Sequence, residues 1–120
     1  MLVTGGADTL LMNTAEVLND DGTTKCSFPI LPEDRRHHTQ SGLVICGGGW
    51  ESDIQTSCLT FSSGKWTKSH TLQFRRKDHS VWSSPQGLLL MGGAYNLTST
   101  EILTDDGQSI EHFTLKHDTR

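Results

Sequence analysis

Three cysteines, six histidines and a repeated Arg-x-x-His element are the groups in this 120-residue chain with the means to do chemistry. Cys46 and Cys58 flank a loop. If residues 49–55 form a hairpin loop centred on Ser52, the two cysteines face each other across neighbouring strands, about 4.5–5.5 Å apart at Cβ, close to what a disulfide spans. Two readings stand: a Cys46–Cys58 disulfide, or two buried thiols serving as small apolar residues. Under the first, Cys26 is either free or bonded to a cysteine outside this chain.

The histidines are His37, His38, His70, His79, His112 and His117. None has the spacing of zinc ligands, and His38 and His79 recur at equivalent places in a repeat, which accounts for them without a metal. No serine lies in the Gly-x-Ser-x-Gly setting that exposes a nucleophile. The elements Arg35-Arg36-His37-His38 and Arg76-Lys77-Asp78-His79 admit two roles. Their side chains either hydrogen-bond loop carbonyls between repeats or offer planar donors to an acidic or carbonyl-rich partner. The candidate partner-binding residues are therefore Arg35, Arg36, His38, Arg76 and His79. Asn96-Leu97-Thr98 is an N-glycosylation acceptor, meaningful only in a secreted chain.

Residues 43–50, LVICGGGW, resemble the opening of a phosphate-binding loop. Such a loop needs a helix after its glycines, whereas residues 49–55 lead into another strand-like segment. The glycines instead punctuate a repeat. Pairs fall at Gly5-Gly6, Gly47-Gly48 and Gly92-Gly93, offset by 42 and 45 residues, and each closes an unbroken apolar run: Leu2-Val3-Thr4, Leu43 to Cys46, Leu88 to Met91. Unbroken runs suit strands covered on both faces. A polar loop and a second strand follow each pair, at Glu16-Val17-Leu18, Cys58 to Phe61 and Glu101-Ile102-Leu103, and each second strand ends in a turn with Gly22, Gly64 or Gly107. Asp20-Asp21-Gly22 and Asp105-Asp106-Gly107 read as hairpin turns in which both Asp and Gly tolerate positive φ. By analogy with the cysteines, Thr4 is expected to face Glu16, and Met91 to lie near Glu101. No segment carries a 3.6-residue apolar period with caps, so no helix longer than about two turns is expected.

A period in the low forties with four short strands per unit, marked by Gly47-Gly48 and a downstream Trp66, resembles the kelch repeat of β-propellers. The resemblance covers essentially the whole chain. It implies an all-β fold, a partial β-propeller of four-stranded antiparallel kelch-type blades, with units at roughly 1–34, 35–75 and 76–120. It also implies that the glycine pairs end equivalent strands and that Trp66 packs between blades; if the Arg-x-x-His elements serve a partner rather than loop carbonyls, Arg35, Arg36 and Arg76 would edge the central channel. The first unit has Cys26 or its neighbour where the tryptophan would stand, the third has Phe113, and the tyrosine usual after the glycine pair is missing. About two and a half blades are expected here, the remaining blades belonging to a longer parent chain.

Function divides between two classes. The first is a non-catalytic protein-interaction scaffold with no cofactor and no metal, whose partner is a protein. The alternative is part of a galactose-oxidase-like propeller enzyme. That copper chemistry requires a tyrosine joined to a cysteine, with histidine and tyrosine ligands, so with Tyr95 the only tyrosine its catalytic residues would lie outside this chain. An apolar content of 33% and a formal charge of −4, with both signs interspersed, argue for one domain of short strands and against nucleic acid as a partner. No run is long enough to insert in a membrane, and MLVTGG is not a signal peptide, so targeting is absent or was removed upstream. The disulfide and the sequon lean toward an extracellular setting.

Overall fold

The apolar runs and glycine turns become antiparallel meanders in the computed structural model, which describes residues 2–5, 14–33, 35–50, 53–94 and 98–116. Leu2–Thr4 (β1), Ala15–Leu18 (β2) and Thr24–Phe28 (β3) form the first sheet. The next begins with Thr39–Ser41 (β4) and Val44–Cys46 (β5). A two-stranded ribbon of Gly49–Trp50 (β6) and Asp53–Ile54 (β7) interrupts it, and Ser57–Ser62 (β8) and Lys65–Thr71 (β9) complete it. Ser80–Ser84 (β10), Gly87–Met91 (β11), Ser99–Leu103 (β12) and Ser109–Thr114 (β13) form the third. Every sheet keeps chain order and no helix occurs among the described residues, so the all-β expectation holds.

Antiparallel meandering sorts the connections to two ends. One end carries tight turns. The other gathers the described residues of linkers 29–38 and 72–79 together with the C-terminal ends of β1, β5 and β11. Among the turns, Ser63-Gly64 joins the pair Ser62 and Lys65 with φ of 54° and 81°, the two-residue geometry whose twist matches that of its strands. The Asp-Gly turns work differently from expectation. They are hairpins, but only Gly22 and Gly107 adopt positive φ. Asp21 contributes through its carboxylate, which accepts the Thr23 amide at 3.0 Å, and Asp106 accepts the Gln108 amide at 3.1 Å. The hydroxyls of Thr23 and Thr104 donate to the same carboxylates, and these bonds first, then the amide bonds, hold both carboxyls below their usual range.

Cys46 pairs with Cys58 and the two are bonded, Cα to Cα 4.1 Å. Of the analogous expectations, the Thr4–Glu16 pairing is off by one residue, since Thr4 faces Ala15, whereas Met91 faces Thr100 and lies near Glu101 as expected. Register is set at the base of each loop rather than at its centre. The first glycine of each pair donates to a carbonyl opposite, Gly5 to Thr14 at 2.8 Å, Gly47 to Ser57 at 3.1 Å and Gly92 to Ser99 at 3.2 Å. Loops of unequal length thus close on the same strand pairing.

Two apolar seams lie between consecutive sheets. Leu31, Ile45, Leu59 and Trp66 form one, with Leu2, Phe28 and Phe61 against them. Cys46, Cys58, Leu72 and Leu90 form the other, flanked by Val44, Val81 and Leu103. Leu31 and Leu72 come from the linkers, so each linker seals the seam it crosses. Trp66 on β9 stacks edge-on to Phe28 and Phe61, and its Nε1 donates to the Pro29 carbonyl at 2.9 Å. Trp66→Ala should cost about 3–5 kcal/mol in chemical denaturation, the range for truncating a core aromatic. Trp66→Phe should cost clearly less, because only the Pro29 hydrogen bond and part of the ring are lost.

Candidate functional site

Each linker carries an arginine whose guanidinium is fully buried. Burying a charge is tolerable only with near-complete hydrogen bonding, and both side chains find it in the sheet that follows them. Arg35 Nη1 donates to the carbonyls of Gly47 and Ser57 at 2.8 and 2.9 Å, and Nη2 to Ser57 Oγ at 2.5 Å. Arg76 repeats the set one unit on, Nη1 to the carbonyls of Gly92 and Ser99, both at 2.8 Å, and Nη2 to Ser99 Oγ at 2.7 Å. Arg35 and Arg76 therefore turn inward and hydrogen-bond carbonyls. Their donors do not edge an open channel: both guanidiniums are fully buried, each held by a glycine carbonyl and by a serine carbonyl that also accepts the glycine amide.

The counter-charge differs between the two. Arg76 Nε meets Glu101 Oε2 on β12 at 2.7 Å, with both side chains fully buried. Leu59 stands at the equivalent place on β8, so Arg35 reaches Glu33 in its own linker, 2.5 Å from Nη2, and its Nε finds no partner among the described residues. Where the first linker has Glu33, the second has Phe74, with the Arg76 guanidinium 5.8 Å from its ring centroid. Burial pushes the Arg35 guanidinium below its ordinary value and Glu33 opposes the shift.

The backbone of the same arginines holds the preceding sheet. A Cβ on Gly47, at φ 64°, would sit 2.4 Å from the Arg76 carbonyl oxygen and 2.9 Å from His79 Cε1; one on Gly5 would meet Arg35 and His38 in the same way, at 2.4 and 2.8 Å. No L side chain fits such a contact. Gly48 N donates to the Arg76 carbonyl at 2.7 Å, Gly49 N to that of Arg36 at 2.8 Å, and Ala94 N to that of Lys77 at 3.0 Å. Each linker is thus fastened between two successive glycine pairs.

The histidines complete the joint. His38 Nε2 lies 2.9 Å from Thr4 Oγ1, and His79 Nε2 lies 2.7 Å from Thr39 Oγ1, while their Nδ1 atoms are buried without a hydrogen-bond partner among the described residues. Burial, reinforced by Arg76 and His38, pushes His79 down to about 4; burial and then Arg35 push His38 in the same direction. His37 and Asp78 occupy equivalent places, both with positive φ, and are joined by an Asp78 N to His37 carbonyl bond of 3.0 Å and a side-chain pair at 2.6 Å.

Of the candidates named from sequence, Arg35, Arg76, His38 and His79 are brought together with the glycine pairs. Arg36 is half-buried at the same end. Asn96, Tyr95, Gly6 and His117 lie outside the described residues. Ser57, Ser99, Glu33 and Glu101 were not singled out from sequence. Their signal was the hydroxyl residue that opens each second strand, Thr14, Ser57 and Ser99. Among the described residues no three His, Cys, Asp or Glu side chains gather as metal ligands would. No protein-family model matches the chain, and no curated protein matches it.

Arg76→Ala leaves Glu101 buried and uncompensated, and should cost about 3–5 kcal/mol in denaturant titrations. Arg76→Lys should recover only part, because an ammonium cannot span the Gly92, Ser99 and Glu101 acceptors together. A pH series tests His79. The unfolded chain takes up this proton near pH 6.5 and the folded chain only near 4, so the unfolded state binds more protons between these values. The His79 contribution should be full above pH 6.5, fall by on the order of 3 kcal/mol on acidification to pH 4, and flatten below it. His79→Gln should remove most of that slope.

Proposed function

We propose that the chain is a kelch-type segment of a β-propeller acting as a non-catalytic scaffold for protein interaction. The observation that carries this reading is the inward use of Arg35 and Arg76, whose donors go to glycine and serine carbonyls of the next sheet. The groups that repeat are consumed in joining sheet to sheet. The groups that vary from repeat to repeat gather at the loop-bearing end, with Glu33 against Phe74, Arg36 against Lys77 and His37 against Asp78. A constant frame below a variable rim suits recognition rather than a shared reaction.

Support for the propeller comes from the meandering sheets in chain order, the glycine pairs after β5 and β11, the burial of Trp66 between sheets, and the approach of β4 to β10, the first strands of their sheets. The Cys46–Cys58 disulfide supports a secreted protein, since such bonds persist in oxidising compartments. A photocrosslinking residue introduced at exposed Pro32, on the linker end, is expected to give one discrete protein adduct in extracellular fluid from the source organism. The same residue at Lys68 on β9 should give none. Equal labelling from both positions, or copper-dependent alcohol oxidation by the protein with its parent chain, would overturn the scaffold reading.

A further inference from the structure

The arginine seat is present three times, and the third copy points to a binding site. Its two internal versions are made of a glycine carbonyl, the carbonyl and hydroxyl that open the second strand, and in the Arg76 case a carboxylate two residues further on: Gly92, Ser99 and Glu101. On the first sheet the same positions are Gly5, Thr14 and Glu16. The match extends to how the carboxylate is held. Ser109 Oγ on β13 donates to Glu101 at 2.6 Å, and Thr24 Oγ1 at the equivalent place on β3 donates to Glu16 at 2.9 Å. Gly5 N to Thr14 carbonyl closes the base of the seat as Gly92 N to Ser99 carbonyl does. Arg35 and Arg76 are both committed to the sheets that follow them and not to this set. Glu101 under Arg76 is fully buried, whereas Glu16 is half-buried and Thr14 exposed.

We propose that Gly5, Thr14 and Glu16 form a receptor for the guanidinium of an extended segment built like this chain's own linkers, with a leucine four residues ahead of the arginine. Leu31 with Arg35 and Leu72 with Arg76 supply the template, the leucine entering the apolar seam while the guanidinium is taken by two carbonyls, a hydroxyl and a carboxylate. Charge decides the occupant. Glu16 prefers a cation, and the fork of acceptors at Gly5, Thr14 and Glu16 fits a planar guanidinium far better than an ammonium. The site stands on the repetition of the seat and not on the scaffold reading above.

The probe is a synthetic peptide of residues 70–80, titrated into the isotope-labelled full chain and followed by amide shifts. Saturable shifts are expected at Gly5, Thr14, Glu16 and Thr24. The same peptide with Arg76→Lys should bind about tenfold more weakly, as should the original peptide to a Glu16→Gln chain. Thr24 is exposed, so Thr24→Val should leave the fold intact and still weaken binding several-fold; it carries the test if Glu16→Gln does not fold. Absence of saturable shifts, equal affinity for the lysine peptide, or shifts confined to Gly92, Ser99 and Glu101 would each overturn the proposal.

Discussion

A guanidinium buried between two sheets is the constraint on which the arrangement depends. Removing such a charge from water costs several kcal/mol unless nearly every donor is matched. Here the match is made by main-chain carbonyls at the base of a loop where the strand ladder has just ended, a glycine carbonyl and a serine carbonyl that also accepts the glycine amide. The side chain therefore binds the sheet ahead, while its own carbonyl is pressed on the glycine of the sheet behind. Both halves of the joint come from one residue. The doubled glycines follow directly, because a Cβ at Gly47 would have to occupy the Arg76 carbonyl.

The two joints reach the same end by different means. At the second, Arg76 has Glu101 within the sheet, and the pair is wholly enclosed. At the first, Leu59 occupies that place and contributes to the seam around Trp66, so the carboxylate is provided from the linker by half-buried Glu33 and Arg35 Nε is left without a partner among the described residues. The disulfide lies beside this less complete joint. Cys46 and Cys58 cross-link β5 to β8 one residue from Gly47 and Ser57, the acceptors of Arg35. The covalent bond holds together the strands whose electrostatic fastening is weaker.

Much of this was legible in the sequence, because the repeat is written in residue types with few other uses. Paired glycines after apolar runs located β1, β5 and β11, the glycine turns located the hairpins, and the cysteine spacing identified the bonded pair. What was not legible depends on direction. Arg-x-x-His says that a donor is present but not whether it turns inward, since that depends on the carbonyls and hydroxyl that the next sheet presents to it. The one-residue error at Thr4 has a similar origin: the loop centre was taken to set register, whereas the amide bond from Gly5 sets it at the loop base. Glu33 and Glu101 were missed because the same electrostatic duty falls to different positions in successive units.

The fastening at the loop bases also separates two properties that usually change together. Between the first glycine and the hydroxyl residue opposite lie eight residues in the first unit, nine in the second and six in the third, yet the same glycine-to-carbonyl bond closes all three. Between those two points Gly48, Gly49 and Ala94 are tied to the linkers, so a change of loop length leaves the joint intact only where it spares these contacts. The architecture is a chassis whose loops can diversify in length once the glycine end of each loop is kept.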